Sequence, residues 1–233
     1  SDRVLPVDTG LVYCEATSAC QRSYALDRAR EWTAGLSAWC DAQPQLVPFA
    51  GACLVHRSEI MQFAGAWSEA FEEAHRVLTR FGRSRADAAA DALYQEGETH
   101  RLRGELAEAE QAYMLASENG RDPHPGLALL RVAQDRVDLA TAATRRVMSV
   151  TTDPWQRTRC LPAHVEILLA ASEVAEAREA AEELGALADR YGMDVLKAMA
   201  QHAKGAVALA EGDARGAIQA LRSAQEVWQR IGA

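Results

Sequence analysis

The feature that most constrains the fold of this chain is a glycine followed five residues later by an alanine, which occurs three times. The three pairs are Gly65 and Ala70, Gly104 and Ala109, and Gly212 and Ala217. Small or apolar residues follow each alanine at +4 and +7, and these offsets lie on one face of an α-helix. Because small side chains on one face let a second helix approach closely, the pattern predicts tightly packed helices.

The +4 and +7 pattern also begins, without the glycine, at three further alanines. The six anchoring alanines are Ala29, Ala70, Ala109, Ala140, Ala177 and Ala217. Successive anchors are 31 to 41 residues apart, the length of one helix–turn–helix repeat. A second helical pattern lies upstream of each anchor, at 10–23, 49–63, 87–102, 125–134, 154–170 and 193–211. Asp153 and Pro154 form a good helix start, since Asp can cap and Pro tolerates the first helical position.

These patterns predict an all-α fold of about twelve helices in about six antiparallel pairs, and no stretch alternates like a strand. A lone pair cannot bury its apolar face, so neighbouring pairs must stack into a superhelical solenoid. We expect one repeat domain over residues 1–233. Its repeats are expected at approximately 10–44, 49–82, 87–120, 125–150, 154–191 and 193–231.

Composition excludes several classes of protein. Hydrophobic residues make up 48% and charged residues 25% of the 233 residues, which is typical of a folded protein and not of a disordered one. The formal net charge of −8 would repel a polyanion, so we expect no direct binding of nucleic acid. No stretch is apolar enough to cross a bilayer, and the N-terminus lacks a signal-peptide core. The five cysteines include no C-x-x-C pair and are odd in number, which favours reduced thiols in a cytoplasmic protein.

The pattern resembles the tetratricopeptide repeat, whose first helix has a small residue at its eighth position and whose second helix carries alanine, an aromatic residue and alanine. The residues that fit this register best are Gly97, Ala109, Tyr113 and Ala116, and Gly205, Ala217, Leu221 and Ala224. The resemblance implies a right-handed superhelix in which the first helix of each pair lines a concave face.

Residues 10–74 resemble the repeat-containing middle segment of bacterial LuxR-type transcriptional regulators. Their sequence is "GLVYCEATSACQRSYALDRAREWTAGLSAWCDAQPQLVPFAGACLVHRSEIMQFAGAWSEAFEEA". In those regulators a C-terminal helix-turn-helix domain binds DNA, and we expect residues 1–233 to be the repeat segment without that domain. The resemblance implies an excised, non-catalytic segment that binds a protein or peptide, or senses a small-molecule effector.

The resemblance to the tetratricopeptide repeat also implies which side chains line the concave face. The predicted ligand- or partner-binding residues are Gln21, Arg22, Glu59, Gln62, Tyr94, Glu98, Arg101, Arg159, Glu166 and His202. Asp91 falls on this face as well. Because buried charge is costly, polar residues at these positions fit either a solvated groove or a face that contacts a ligand.

An enzyme is the rival class, with a metal or a small molecule bound in the groove near His56, Glu59 or Glu72. Glu72 and His75 have the spacing of a di-iron ligand pair, but a second such pair is missing. Glu96 and His100, at i and i+4, could share a metal ion or pair weakly in solvent. No H-E-x-x-H and no phosphate-binding glycine loop occur. We therefore expect no catalytic residues, no metal and no cofactor, with a purely structural scaffold as a third alternative.

Two apolar features bear on packing and assembly. Trp32 and Trp39, seven residues apart on one helix face, are expected to pack between stacked helices. The last helix still presents apolar residues such as Ile218 and Trp228, whereas a solenoid needs a polar cap. This leftover surface predicts a following repeat or, next, a homodimer.

Overall fold

The computed structural model describes residues 6–42, 47–81 and 86–231. Within these ranges the chain forms twelve α-helices and no β-strand, which confirms the all-α prediction. None of the described helices has the length and apolar character needed to span a membrane. Contacts within the chain divide it into two compact units, Ser1–Pro123 and His124–Ala233, which we call unit 1 and unit 2.

Unit 1 contains six helices that pack in chain order. They are α1 (Pro6–Arg22), α2 (Leu26–Ala42), α3 (Val47–Phe63), α4 (Trp67–Phe81), α5 (Ala86–Leu102) and α6 (Leu106–Glu118). Each helix contacts the next along the chain, and α1 also contacts α3, as α3 contacts α5.

Unit 2 repeats this arrangement with a shorter first helix. Its helices are α7 (Gly126–Ala133), α8 (Val137–Val150), α9 (Pro154–Ala170), α10 (Val174–Tyr191), α11 (Asp194–Ala210) and α12 (Ala214–Ile231). Consecutive helices again pack together, and α9 contacts both α7 and α11. Sequential packing of this kind is what an all-α solenoid requires. The right-handed twist, the repeat count with its bounds and the single domain over residues 1–233 stay predictions.

The turn inside each helix pair has one residue in the left-handed conformation, always five residues before an anchoring alanine. It is glycine in three turns, and in the other three it is Tyr24 (φ 55°), Asp135 (φ 59°) or Ser172 (φ 62°). After α5, for example, the Gly104 N–H donates to the Arg101 carbonyl at 3.1 Å and the Glu105 N–H donates to the His100 carbonyl at 2.9 Å. These are the bonds of a Schellman C-cap. Glycine adopts this conformation without the roughly 1 kcal/mol that other residues lose there, which explains its recurrence.

The small residues of the pattern lie where helices touch. All six anchoring alanines are buried, as predicted. A Cβ built on Gly97 of α5 would come within 2.8 Å of the Tyr113 ring on α6. The same construction on Gly205 of α11 would come within 2.7 Å of Leu221 Cγ on α12. Both glycines therefore set the spacing between the two helices of a pair.

Both tryptophans of α2 contact α1, and Trp39 is partly buried there whereas Trp32 is exposed. Tyr13 of α1 lies between them, with its ring centroid 5.7 Å from that of Trp32 and 6.2 Å from that of Trp39. Leu36 and Cys53 form the buried centre of the same cluster.

Candidate binding surface on α1, α3 and α5

The first helices of unit 1 are joined by polar contacts on the side where they meet. Gln21 of α1 donates its Nε2 to the His56 carbonyl of α3 at 3.1 Å. Ser18, one turn earlier on α1, has its Oγ 3.4 Å from Nε2 of the same histidine. These contacts hold His56 beside α1 with its ring half-buried.

The polar contacts continue from α3 to α5. Gln95 of α5 is buried, and its Nε2 donates to Glu59 Oε1 of α3 at 3.2 Å. Asp91, one turn earlier on α5, accepts a hydrogen bond from Arg121 Nη1 at 2.5 Å. Burial raises the pKa of Asp91; Arg121 opposes this shift, and the charge of Glu59 adds to it. Two carboxylates therefore share one half-buried region, each held by a neighbouring polar side chain.

We define the α1–α3–α5 surface by residues that these contacts link. They are Gln21, His56, Glu59, Asp91, Gln95 and Arg121. Its rigid edge is Tyr94, which is buried with its ring 5.6 Å from that of Tyr113. The Arg121 guanidinium lies 4.5 Å from the centre of the Tyr94 ring, so one arginine bonds a carboxylate and covers an aromatic face.

A second polar group lies one turn further along α5 and is buried. Glu98 accepts a hydrogen bond from the Tyr113 hydroxyl at 2.5 Å and from Arg101 Nη2 at 2.8 Å. Burial and the charge of Glu98 raise the pKa of Tyr113, so the phenol stays protonated as a donor. Burial lowers the pKa of the Arg101 guanidinium, but the neighbouring Glu98 raises it by more, so the net shift is upward. Glu98 therefore joins α5 to α6 inside unit 1.

The predicted binding residues fall into three groups. In unit 1, Gln21, Glu59, Gln62 and Arg101 are half-buried, whereas Tyr94 and Glu98 are buried. In unit 2, Arg159 and Glu166 of α9 and His202 of α11 are exposed. The Arg22 side chain lies outside the described residues.

The structure brings together Gln21, Glu59 and, through Arg121, Tyr94. The sequence analysis did not predict two residues of this surface, Gln95 and Arg121. Gln95 shares its helix face with Asp91 at i+4 and was within reach of the sequence pattern. Arg121 follows α6, and nothing in its local sequence indicates a bond to Asp91, thirty residues earlier.

The acidic and histidine pairs considered as metal ligands have other partners. His75 Nδ1 lies 2.8 Å from Oε1 of the buried Glu96, and His100 Nδ1 lies 2.5 Å from Glu105 Oε2. Phe71 lies between the two histidines, stacked on one and edge-on to the other. Glu96 and His100 thus bond different partners, one in α4 and one in the turn after α5. No group of three or more His, Cys, Asp or Glu side chains that could hold a metal occurs in the part of the chain that the structure describes.

Unit 2 contains a separate groove of about 520 Å³ between α10 and α11. Small residues such as Ala181, Gly185 and Ala200 line it, and its charged lining includes both Lys204 and Glu182. A Cβ built on Gly185 would meet no atom within 4 Å, in keeping with open space at this position. The predicted residues Arg159, Glu166 and His202 are not part of its lining.

A buried histidine makes unit 2 sensitive to acid. His164 of α9 has its Nδ1 3.1 Å from Thr144 Oγ1 of α8, and burial lowers its pKa below the ordinary 6.5 although Glu176 opposes this shift. The unfolded chain therefore takes up a proton first as the pH falls. We expect the free energy of unfolding of unit 2 to be unaffected by this group above pH 6.5 and to fall below it, by up to about 1.4 kcal/mol per pH unit.

Urea denaturation at a series of pH values measures this dependence. It is monitored by tryptophan fluorescence in a background in which Trp32, Trp39 and Trp67 of unit 1 are replaced by phenylalanine, so that the signal comes from unit 2. His164→Gln is expected to flatten the curve below pH 6.5, and His202→Gln, at an exposed position of the same unit, is expected to leave it unchanged. Parallel curves for the wild type and His164→Gln would show that the buried histidine is not responsible.

No model of a known protein family matches the chain, and no curated protein matches it.

Proposed function

We propose that this chain is a non-catalytic interaction module whose α1–α3–α5 surface binds a protein or peptide carrying a basic side chain. The observation that carries this proposal is the pair Glu59 and Asp91, two carboxylates held in one half-buried region on neighbouring helices. Carboxylates in a desolvated setting attract a lysine or arginine more strongly than carboxylates in water do. The net charge of −8 favours a basic partner over an acidic one.

The chemistry of the surface supports binding over catalysis. Asp91 is bonded to Arg121, and a carboxylate held by a guanidinium is a poor general base. Glu59 accepts a hydrogen bond from the Gln95 amide, which orients the carboxylate. Orientation by fixed neighbours suits recognition of a ligand side chain, because less conformational entropy is lost on binding.

Selection of peptides on the purified protein tests the proposal. A random peptide library displayed on phage is panned against the wild-type chain, and the affinity of the enriched peptides is measured by fluorescence anisotropy. We expect enriched peptides to contain lysine or arginine. Glu59→Gln and Asp91→Asn are each expected to weaken binding about tenfold, because each removes one charge from the surface.

Glu179→Gln, which removes an exposed carboxylate of α10 in unit 2, is the matched control and is expected to bind as the wild type does. Affinity that survives Glu59→Gln and Asp91→Asn together would rule out this surface. A library that yields no enriched peptide would favour the purely structural scaffold.

We further propose that the module is the regulatory segment of a LuxR-type transcriptional regulator and acts in the cytoplasm. The resemblance of residues 10–74 supports this proposal. In the full-length protein, an enriched peptide is then expected to change DNA binding by a C-terminal helix-turn-helix domain. A full-length protein without such a domain would rule out the regulator and would leave the peptide-binding test unaffected.

A further inference from the structure

Helix α1 presents an exposed apolar strip between two acidic residues. Val7, Leu11 and Val12 are 48%, 52% and 60% exposed, high values for aliphatic side chains within six residues of one helix. Asp8 and Glu15 are exposed as well and stand seven residues apart, two helical turns or about 10.5 Å, with Leu11 and Val12 midway between them. The opposite face of α1 is used inside unit 1, where Gly10 and Thr17 are buried.

Helix α12 presents an exposed isoleucine between two basic residues. Ile218 is 53% exposed, and Arg215 and Arg222 are exposed at three residues before it and four residues after it. These two arginines also stand seven residues apart, with the isoleucine midway between them. Glu226 lies one turn beyond this span. The buried face of α12, with Ala217, Ala220 and Ala224, lies elsewhere on the helix.

We propose that α1 of one copy of this chain packs against α12 of a second copy. The apolar residues would meet at the centre, and Asp8 and Glu15 would face Arg215 and Arg222 in either order, since the two spacings are equal. The contact is independent of the α1–α3–α5 surface and of the proposed peptide.

Charge decides between this contact and a contact between two α1 or two α12 helices. Two α1 helices packed together would bring the acidic pairs of both copies close to each other, and two α12 helices would do the same with the arginines. Like charges juxtaposed at an interface disfavour association, whereas opposite charges favour it and fix the register. Contact between different helices is made twice where two copies close into a pair, and otherwise links copies into a ring or a growing chain.

Sedimentation velocity over a concentration series tests the contact. We expect the average mass to rise above the 25.3 kDa of one chain as concentration increases, and to rise less at high salt. Glu15→Arg and Arg222→Glu are each expected to weaken association at least about tenfold, because each places like charges in contact. Glu179→Arg, at an exposed position outside both helices, is expected to associate like the wild type.

Recombination of the variants separates this contact from misfolding and from a contact between two α1 or two α12 helices. An equal mixture of the Glu15→Arg and Arg222→Glu proteins is expected to associate more strongly than either protein alone, because the unchanged α1 of one can meet the unchanged α12 of the other. A chain that carries all four exchanges, Asp8→Arg, Glu15→Arg, Arg215→Glu and Arg222→Glu, is expected to regain the association of the wild type in either order of the two helices. A single-chain mass at every concentration would overturn the proposal. An association that neither variant weakens, or that the mixture fails to strengthen, would overturn it too.

Discussion

Replacing Glu98 by alanine is expected to lower the free energy of unfolding of unit 1 by about 3 kcal/mol, because one partner of a buried charge pair is removed. The Glu98 carboxylate accepts from both the Tyr113 hydroxyl and Arg101 Nη2 inside the packed helices α5 and α6. In its absence the phenol and the guanidinium, both largely shielded from water, lose their common acceptor. Urea denaturation followed by far-ultraviolet circular dichroism measures the change.

Graded substitutions separate the charge from the packing. Tyr113→Phe removes one donor and keeps the ring, and it is expected to lower the free energy of unfolding by about 1 to 3 kcal/mol. Glu98→Gln keeps an acceptor but removes the charge, so its effect should be smaller than that of Glu98→Ala. Glu108→Ala, at an exposed position on α6, is expected to change stability by less than about 0.5 kcal/mol. If Glu98→Ala behaves like Glu108→Ala, the buried network does not stabilise unit 1.

Helix positions were the part of the fold that the sequence predicted best. The prediction of a helix over 154–170 coincides with α9, since Asp153 caps it through a 2.8 Å bond from the Gln156 N–H and Pro154 occupies its first turn. The capping aspartate and the proline of the first turn act on backbone groups only a few residues away, so the local sequence is enough to predict where this helix begins.

The left-handed turn residues were within reach of the same reasoning. The other three turns have Tyr24, Asp135 or Ser172 at the offset that glycine occupies elsewhere. The residue type alone does not predict a positive φ at these positions as strongly as glycine does. Their conformation follows from the turn that the two helices impose. The offset from the anchoring alanine, and not the residue type, therefore predicts which residue of the turn is left-handed.

The candidate site was harder to predict, because its contacts join residues far apart in sequence. His75 meets Glu96 and Arg121 meets Asp91 only after the helices pack, and the rotation of each helix decides which side chains face each other. Tyr94 and Glu98 were expected on a ligand-facing side of α5. They are buried because Tyr113 of α6 lies against both, through its ring and its hydroxyl.

Replacing Gly205 by valine is expected to lower the free energy of unfolding of unit 2 by about 3 kcal/mol, the upper end of what overpacking a close helix contact costs. A Cβ at this position would lie 2.7 Å from Leu221 Cγ and 3.3 Å from the Ala217 carbonyl oxygen, so α11 and α12 would have to separate. Ala217 and Ala220 are buried between the same helices, and separating them exposes apolar surface.

Gly185→Val is the matched control, because Gly185 also lies inside a helix of unit 2 but a Cβ there meets no atom within 4 Å. It is expected to leave the free energy of unfolding unchanged or to raise it by about 0.5 kcal/mol, since valine forms helix better than glycine. Adding Leu221→Ala to Gly205→Val should then cost less than the sum of the single changes, because the atoms that collide with the valine are gone. Equal stabilities of the Gly205→Val and Gly185→Val proteins would mean that close approach at Gly205 does not hold α11 against α12.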